Sequence, residues 1–86
     1  MDNHTIARKL NDYAVYLEGE ESNVYRARAY RRAAETVLAE ERPVADLVAE
    51  KGRPGLAALP GIGKSLAYTI EGLVRTGEFR TRPSMV

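Results

Sequence analysis

Apolar residues recur along this chain at three- and four-residue spacing, in segments separated by glycine, proline and charge. Ile6, Leu10, Tyr13, Ala14 and Leu17 make one stripe and predict a helix over residues 5 to 18, with Asn3 or Thr5 as its cap and Gly19 as its stop. Glu20, Glu21 and Ser22 read as a polar loop. A second helix is predicted over residues 24 to 40, opened by Asn23 as N-cap and carrying Tyr30, Ala33, Ala34 and Val37 on one face. Pro43 suits the first position of a third, short helix whose apolar face is Val44, Leu47 and Val48. Lys51-Gly52-Arg53-Pro54-Gly55 breaks the pattern. Leu56 to Leu59 is too short for a free helix and needs tertiary contacts to form. A last helix, about Lys64 to Arg75, carries Leu66, Ala67, Ile70, Leu73 and Val74 and stops at Gly77 in a left-handed cap. Phe79 is expected to fold back as a core plug, and residues 81 to 86, which carry no pattern, to be disordered. No segment alternates with the period of a strand. The expectation is an all-α domain over residues 1 to 80, a compact bundle of four to five short helices.

The stretch Leu59-Pro60-Gly61-Ile62-Gly63-Lys64-Ser65 is where helix cannot continue. Pro60 lacks an N–H and pushes Leu59 out of the helical region. The two glycines bracket Ile62, which is expected to be the apolar tip that pins this hairpin to the core. The turn favours an anion. The first N–H groups of the following helix have no intrahelical partner, and the helix dipole places positive charge beside them. Glycines leave room for a phosphate to approach, and Lys64 and Ser65 add a cation and a hydroxyl. A nucleotide-binding loop does not fit, because neither the Gly-x-x-x-x-Gly-Lys-Ser/Thr spacing nor a preceding strand is there.

Length and composition narrow the field. Eighty-six residues, 44% of them hydrophobic, support one modest core. With no cysteine and a single histidine, His4, there is no disulfide framework and no thiolate or histidine zinc site. The N-terminus lacks the basic and apolar regions of a signal peptide, and no apolar run is long enough to cross a bilayer, so an intracellular monomer off the membrane is expected. A net charge of +1 is modest for a nucleic-acid binder, but its distribution is uneven. Arg26, Arg28, Arg31 and Arg32 crowd one segment. At about 100° per residue, Arg28, Arg31 and Arg32 share the face opposite the apolar stripe of their helix. They form either a solvated face, with Arg31 paired to Glu35, or a phosphate track. Arg26 projects at the helix start near the direction of Ala33 and Val37, where it would emerge into a groove beside the later helices. Tyr25 falls beside the apolar stripe and is the better candidate to stack on a base; Tyr30 stands where core residues usually stand.

Two segments together carry a resemblance. Asn23-Val24-Tyr25-Arg26-Ala27-Arg28-Ala29-Tyr30-Arg31-Arg32-Ala33-Ala34, and Leu59-Pro60-Gly61-Ile62-Gly63-Lys64-Ser65-Leu66-Ala67 followed by Ile70 and Thr76-Gly77, resemble the N-terminal helix-hairpin-helix domain of family X DNA polymerases, over about residues 4 to 80. The resemblance implies a DNA-repair module that binds gapped or single-stranded DNA and its 5′-phosphate without reading sequence. It implies that Arg26 stands at a basic phosphate ligand, Tyr30 at a tyrosine lining the same pocket, and the main-chain N–H groups of Gly61, Gly63, Lys64 and Ser65 at the hairpin's DNA contact. It further implies that the carbonyls of Ala57, Leu59 and Ile62 stand where K⁺ or Na⁺ is coordinated. Some family members also remove a 5′-deoxyribose phosphate through a lysine Schiff base. Here that position is Thr69, whose hydroxyl cannot form an imine, and a second basic position is Ser65. Lys64 is adjacent but points about 100° away. The chain has no room for a polymerase domain and no Asp-x-Asp metal pair. The reading is therefore a binding module, free-standing or part of something larger, with a repair or polymerase protein as a further partner. Two alternatives remain open: a protein-interaction module, and a lyase using Lys64.

Overall fold

The computed structural model describes residues 1–19 and 23–80. Four helices follow one another: α1 (Asn3–Gly19), α2 (Val24–Ala39), α3 (Val44–Ala57) and α4 (Lys64–Thr76). Among the described residues there is no strand, and no helix is long and apolar enough to cross a membrane. The predicted polar loop at residues 20–22 and the tail at 81–86 lie outside the described residues.

The principal helix pairings are α1 with α2 and α3 with α4. The predicted stripes are what they bury. Ile6, Leu10, Ala14 and Leu17 of α1 meet Ala27, Tyr30, Ala33, Ala34 and Val37 of α2; Val44, Val48 and Leu56 of α3 and Leu66, Ala67, Ile70 and Leu73 of α4 complete the core. Small alanines on α2 (Ala27, Ala33 and Ala34) leave room for its backbone to approach α1, while larger side chains such as Ile6, Leu10, Leu17, Leu56, Ile70 and Leu73 fill the core. Phe79 folds back as expected, its ring centroid 4.7 Å from that of Tyr13 and 6.1 Å from that of Tyr30.

The caps differ in part from the sequence reading. Asn23 caps α2 as expected, its Oδ1 accepting the Arg26 N–H at 3.0 Å. Gly77 closes α4 in the left-handed conformation (φ 76°), its N–H donating to the Leu73 carbonyl at 3.0 Å. At α1, however, neither Asn3 nor Thr5 is the cap. The Asp2 carboxylate accepts the Thr5 N–H at 2.8 Å, and the helix therefore begins at Asn3. Asn3 serves α3 instead. Its Nδ2 donates to the Arg42 carbonyl at 3.0 Å and its Oδ1 accepts the Val44 N–H at 2.8 Å. Pro43 (φ −59°, ψ 132°) is extended and lies just outside α3 rather than at its first position; having no side-chain acceptor, it leaves the Val44 N–H to Asn3.

The expected break between residues 51 and 55 is concentrated at one residue. Gly52 (φ 65°, ψ −155°) occupies a region essentially reserved for glycine, and it joins two helical pieces of α3 across a kink. The second piece starts at Arg53 and Pro54, where a proline without an N–H is tolerated as in any first helical turn. The first arm of the hairpin thus begins three residues earlier than Leu56. Arg31 is also placed otherwise than expected: it pairs with Glu18 of α1, not with Glu35.

Candidate nucleic-acid interface

The hairpin is a chain of short backbone bonds. The Ala58 N–H donates to the Pro54 carbonyl (3.2 Å), the Leu59 N–H to the Leu56 carbonyl (3.0 Å) and the Ile62 N–H to the Leu59 carbonyl (3.2 Å). Ile62 is 3% exposed, so the apolar tip does pin the turn into the core. A further tie comes from α2: the Thr36 hydroxyl donates to the Pro60 carbonyl at 2.7 Å. No local pattern marks Thr36, because its partner is 24 residues away.

The two hairpin glycines serve different ends. Gly61 is left-handed (φ 76°), and a Cβ there would lie 2.8 Å from Nε of Arg32, whose side chain is laid along the turn. Gly63 (φ −88°, ψ −171°) is ordinary extended backbone, and a Cβ there would meet nothing within 4 Å. Gly63 is the N-cap of α4. Its carbonyl accepts the first helical bond, from the Ala67 N–H at 2.9 Å. It has no side chain to cap the N–H groups of the first turn, and that turn holds no acidic residue. A helix N-terminus with its donors facing outward results.

Beside it lies a cavity of about 290 Å³, lined by Arg26, Ala29 and Tyr30 of α2 and by Gly63, Lys64, Ser65, Leu66 and Thr69. Arg26 enters it as the sequence geometry expected, from the edge of the core. Its guanidinium carbon is 6.0 Å from the centroid of the Tyr30 ring. Tyr30 is 5% exposed and belongs to the core as well as to the cavity floor. Burial pushes its phenol above the ordinary value of 10.0, opposed by the Thr69 hydroxyl and the Arg26 charge. Thr69 is buried, and its Oγ1 donates to the Ser65 carbonyl at 3.2 Å. The lining is largely apolar, with the neutral hydroxyl groups of Tyr30, Ser65 and Thr69 and two cations, Arg26 and Lys64.

The remaining candidates group elsewhere. Tyr25, which is 86% exposed, and Arg28 line a second cavity with Ala29, Arg32 and Gly61. Ala29 touches both cavities, so α2 presents them side by side. Arg32, which the sequence left on a face either solvated or phosphate-binding, lies against the hairpin at Gly61. Its i,i+4 spacing from Arg28, with Tyr25 one turn before, was the available signal. The carbonyls of Ala57, Leu59 and Ile62 flank the hairpin. The Leu59 oxygen, although it accepts the Ile62 N–H, keeps a second lone pair. No cluster of His, Cys, Asp or Glu suited to a metal ion occurs among the described residues.

The family model described as a helix-hairpin-helix domain matches residues 1–79 of the chain. No curated protein and no solved structure gives a significant match.

Proposed function

The chain belongs to the helix-hairpin-helix domain family, whose members generally bind DNA, and from that premise we propose that it is a sequence-tolerant DNA-binding module of the family X polymerase type, which holds gapped or single-stranded DNA by a 5′-phosphate. The observation that carries the reading is the cavity of about 290 Å³ in which Arg26 and Tyr30 of α2 face Lys64, Ser65 and the open N-terminus of α4. A terminal phosphate set there accepts hydrogen bonds from the first-turn N–H groups and the Ser65 hydroxyl. Arg26 and Lys64 neutralise its charge. None of these contacts touches a base edge, so affinity does not depend on sequence. Tyr25, exposed on the neighbouring cavity, is placed to stack on a base, with Arg28 beside it for the backbone.

Thr69 has no amine, and its hydroxyl is already engaged with the Ser65 carbonyl. The module therefore binds the phosphate without cleaving the sugar. K⁺ or Na⁺ on the carbonyls of Ala57, Leu59 and Ile62 would supply positive charge between the hairpin and the DNA backbone.

The test is an anisotropy titration of a one-nucleotide-gapped duplex with and without the 5′-phosphate, for the wild type and Arg26→Ala. A charge-assisted hydrogen bond contributes about 1.5–3 kcal/mol, roughly a tenfold to hundredfold gain in affinity. The phosphate is expected to confer a gain of that order on the wild type and none on Arg26→Ala. Equal binding of both gaps by the wild type refutes the phosphate pocket. Replacing K⁺ by tetramethylammonium at constant ionic strength is expected to weaken binding; unchanged binding removes the cation from the reading. Failure to trap an adduct with borohydride on an incised abasic substrate is expected, and a trapped adduct that is lost in Lys64→Ala would make Lys64 a lyase amine.

A further inference from the structure

Arg53, Arg75 and Arg80 all meet one carboxylate. Their nearest nitrogens lie 3.3, 3.2 and 3.2 Å from Glu71, which is 14% exposed. One negative charge against three leaves this side of α4 with an excess of two positive charges. The three arginines are not held alike. Arg80 lies over the Tyr68 ring, its guanidinium 4.2 Å from the centroid, in a trench that exists because Gly72 has no Cβ; one built there would be 2.4 Å from Nε of Arg80. Arg75 is the i,i+4 helical partner of Glu71. Arg53 comes from α3, lies farther from the same Tyr68 ring (5.8 Å to the centroid) than Arg80 does, and leaves 51% of its side chain exposed, against 56% for Arg75.

Arg53 also lines a cavity of about 370 Å³ with Pro54, Ala57, Lys64 and Ala67. Lys64 is common to this cavity and to the one containing Arg26. At about 100° per residue, Ser65 and Thr69 point to one side of α4, while Lys64, Ala67, Tyr68 and Glu71 point to the other. Two concave surfaces therefore flank the first turn of α4, with Lys64 between them. The second has an apolar floor, Pro54, Ala57 and Ala67, under two cations.

We infer that Arg53 and Lys64 form a second subsite, for an internal phosphodiester of the same DNA backbone that the hairpin holds. The inference rests on the DNA-binding reading above and names the path the strand takes beyond the hairpin. The excess positive charge selects an anion. The apolar floor suits a deoxyribose between two phosphates, and the shared Lys64 makes the two surfaces continuous along one backbone. Arg53 can turn from Glu71 to a phosphate without leaving a bare carboxylate, because Arg75 and Arg80 keep Glu71 neutralised. The glycine-only conformation of Gly52 ends the first half of α3 and starts a new turn at Arg53, which sets this arginine beside α4.

The experiment is the same anisotropy titration over a series of salt concentrations, with Arg53→Ala, Arg53→Gln and Arg53→Lys. Arg53→Ala is expected to weaken the 5′-phosphorylated and unphosphorylated gaps by the same factor and to reduce the salt slope by about one. Arg53→Lys is expected to restore the slope. Arg53→Gln keeps a donor for Glu71 without the charge; it is expected to behave as Arg53→Ala in binding while melting like the wild type, which separates lost binding from lost folding. An unchanged slope in both Arg53→Ala and Arg53→Gln overturns the subsite while leaving the hairpin reading intact. So does a loss confined to the 5′-phosphorylated gap, which would assign Arg53 to the first cavity. A wild type that binds neither DNA overturns both readings.

Discussion

Replacing Gly63 by alanine separates folding from DNA binding at a single atom. The site is in ordinary extended backbone, and the added Cβ meets nothing within 4 Å, so the folded state has room for it. Two small effects oppose each other. Removing the conformational freedom of glycine from the unfolded chain stabilises by about 0.4–1 kcal/mol. Alanine is a poorer N-cap than glycine and costs a similar amount. The urea midpoint is therefore expected to shift by less than corresponds to about 1 kcal/mol, with an unchanged m-value. DNA binding is expected to respond very differently. In the proposed binding mode a Cβ on Gly63 stands at the mouth of the α4 N-terminus and is expected to hold a phosphate oxygen off the first-turn N–H groups. Losing one hydrogen bond to a charged group costs about 1.5–3 kcal/mol, tenfold or more in affinity, and the loss should be the same for all DNA sequences. Gly63→Val, with a larger obstruction, should lose more. Gly61→Ala is the contrasting control. Its left-handed backbone alone costs an alanine about 1–2 kcal/mol, and the Arg32 side chain must also move. It should lower stability where Gly63→Ala does not. Full DNA affinity in a folded Gly63→Val variant would refute the idea that the phosphate approaches the backbone at this point.

Two further outcomes follow from the contacts described. Asn3→Ala removes the acceptor for the Val44 N–H and the donor to the Arg42 carbonyl, and is expected to cost about 1–2 kcal/mol while leaving DNA affinity unchanged; a thermal midpoint equal to the wild type's would contradict it. Tyr30 has a folded-state pKa raised above its ordinary 10.0 by burial, so its contribution to stability is complete below about pH 10 and is lost as pH rises through the folded value. Denaturant stability from pH 8 to 11 should therefore fall more steeply in the wild type than in Tyr30→Phe, and parallel curves would dismiss the burial argument.

What the sequence determined by itself is local. Periodicity located four helices because each buries one stripe. Asn23 and Gly77 were legible as caps because their bonds close within a few residues, and the Pro60-Gly61-Ile62-Gly63 turn because its dihedral demands are written in its residue types. Arg26 was legible too, since helical angle alone directs it toward the edge of the core. The tertiary structure decided what depends on distant neighbours. It gave Asn3 to α3, across 41 residues, instead of to the helix it begins. It gave Arg31 to Glu18 and Arg32 to the hairpin, although a helical wheel places all three outer arginines of α2 on one face. It also divided the roles of the two hairpin glycines, because a dihedral angle and the space around a Cβ are fixed only once α2 lies against the turn. Arg53 is the furthest from prediction. Its place beside Lys64 and Glu71 follows from a kink at Gly52 and from α3 meeting α4, and no residue spacing along the chain encodes that meeting.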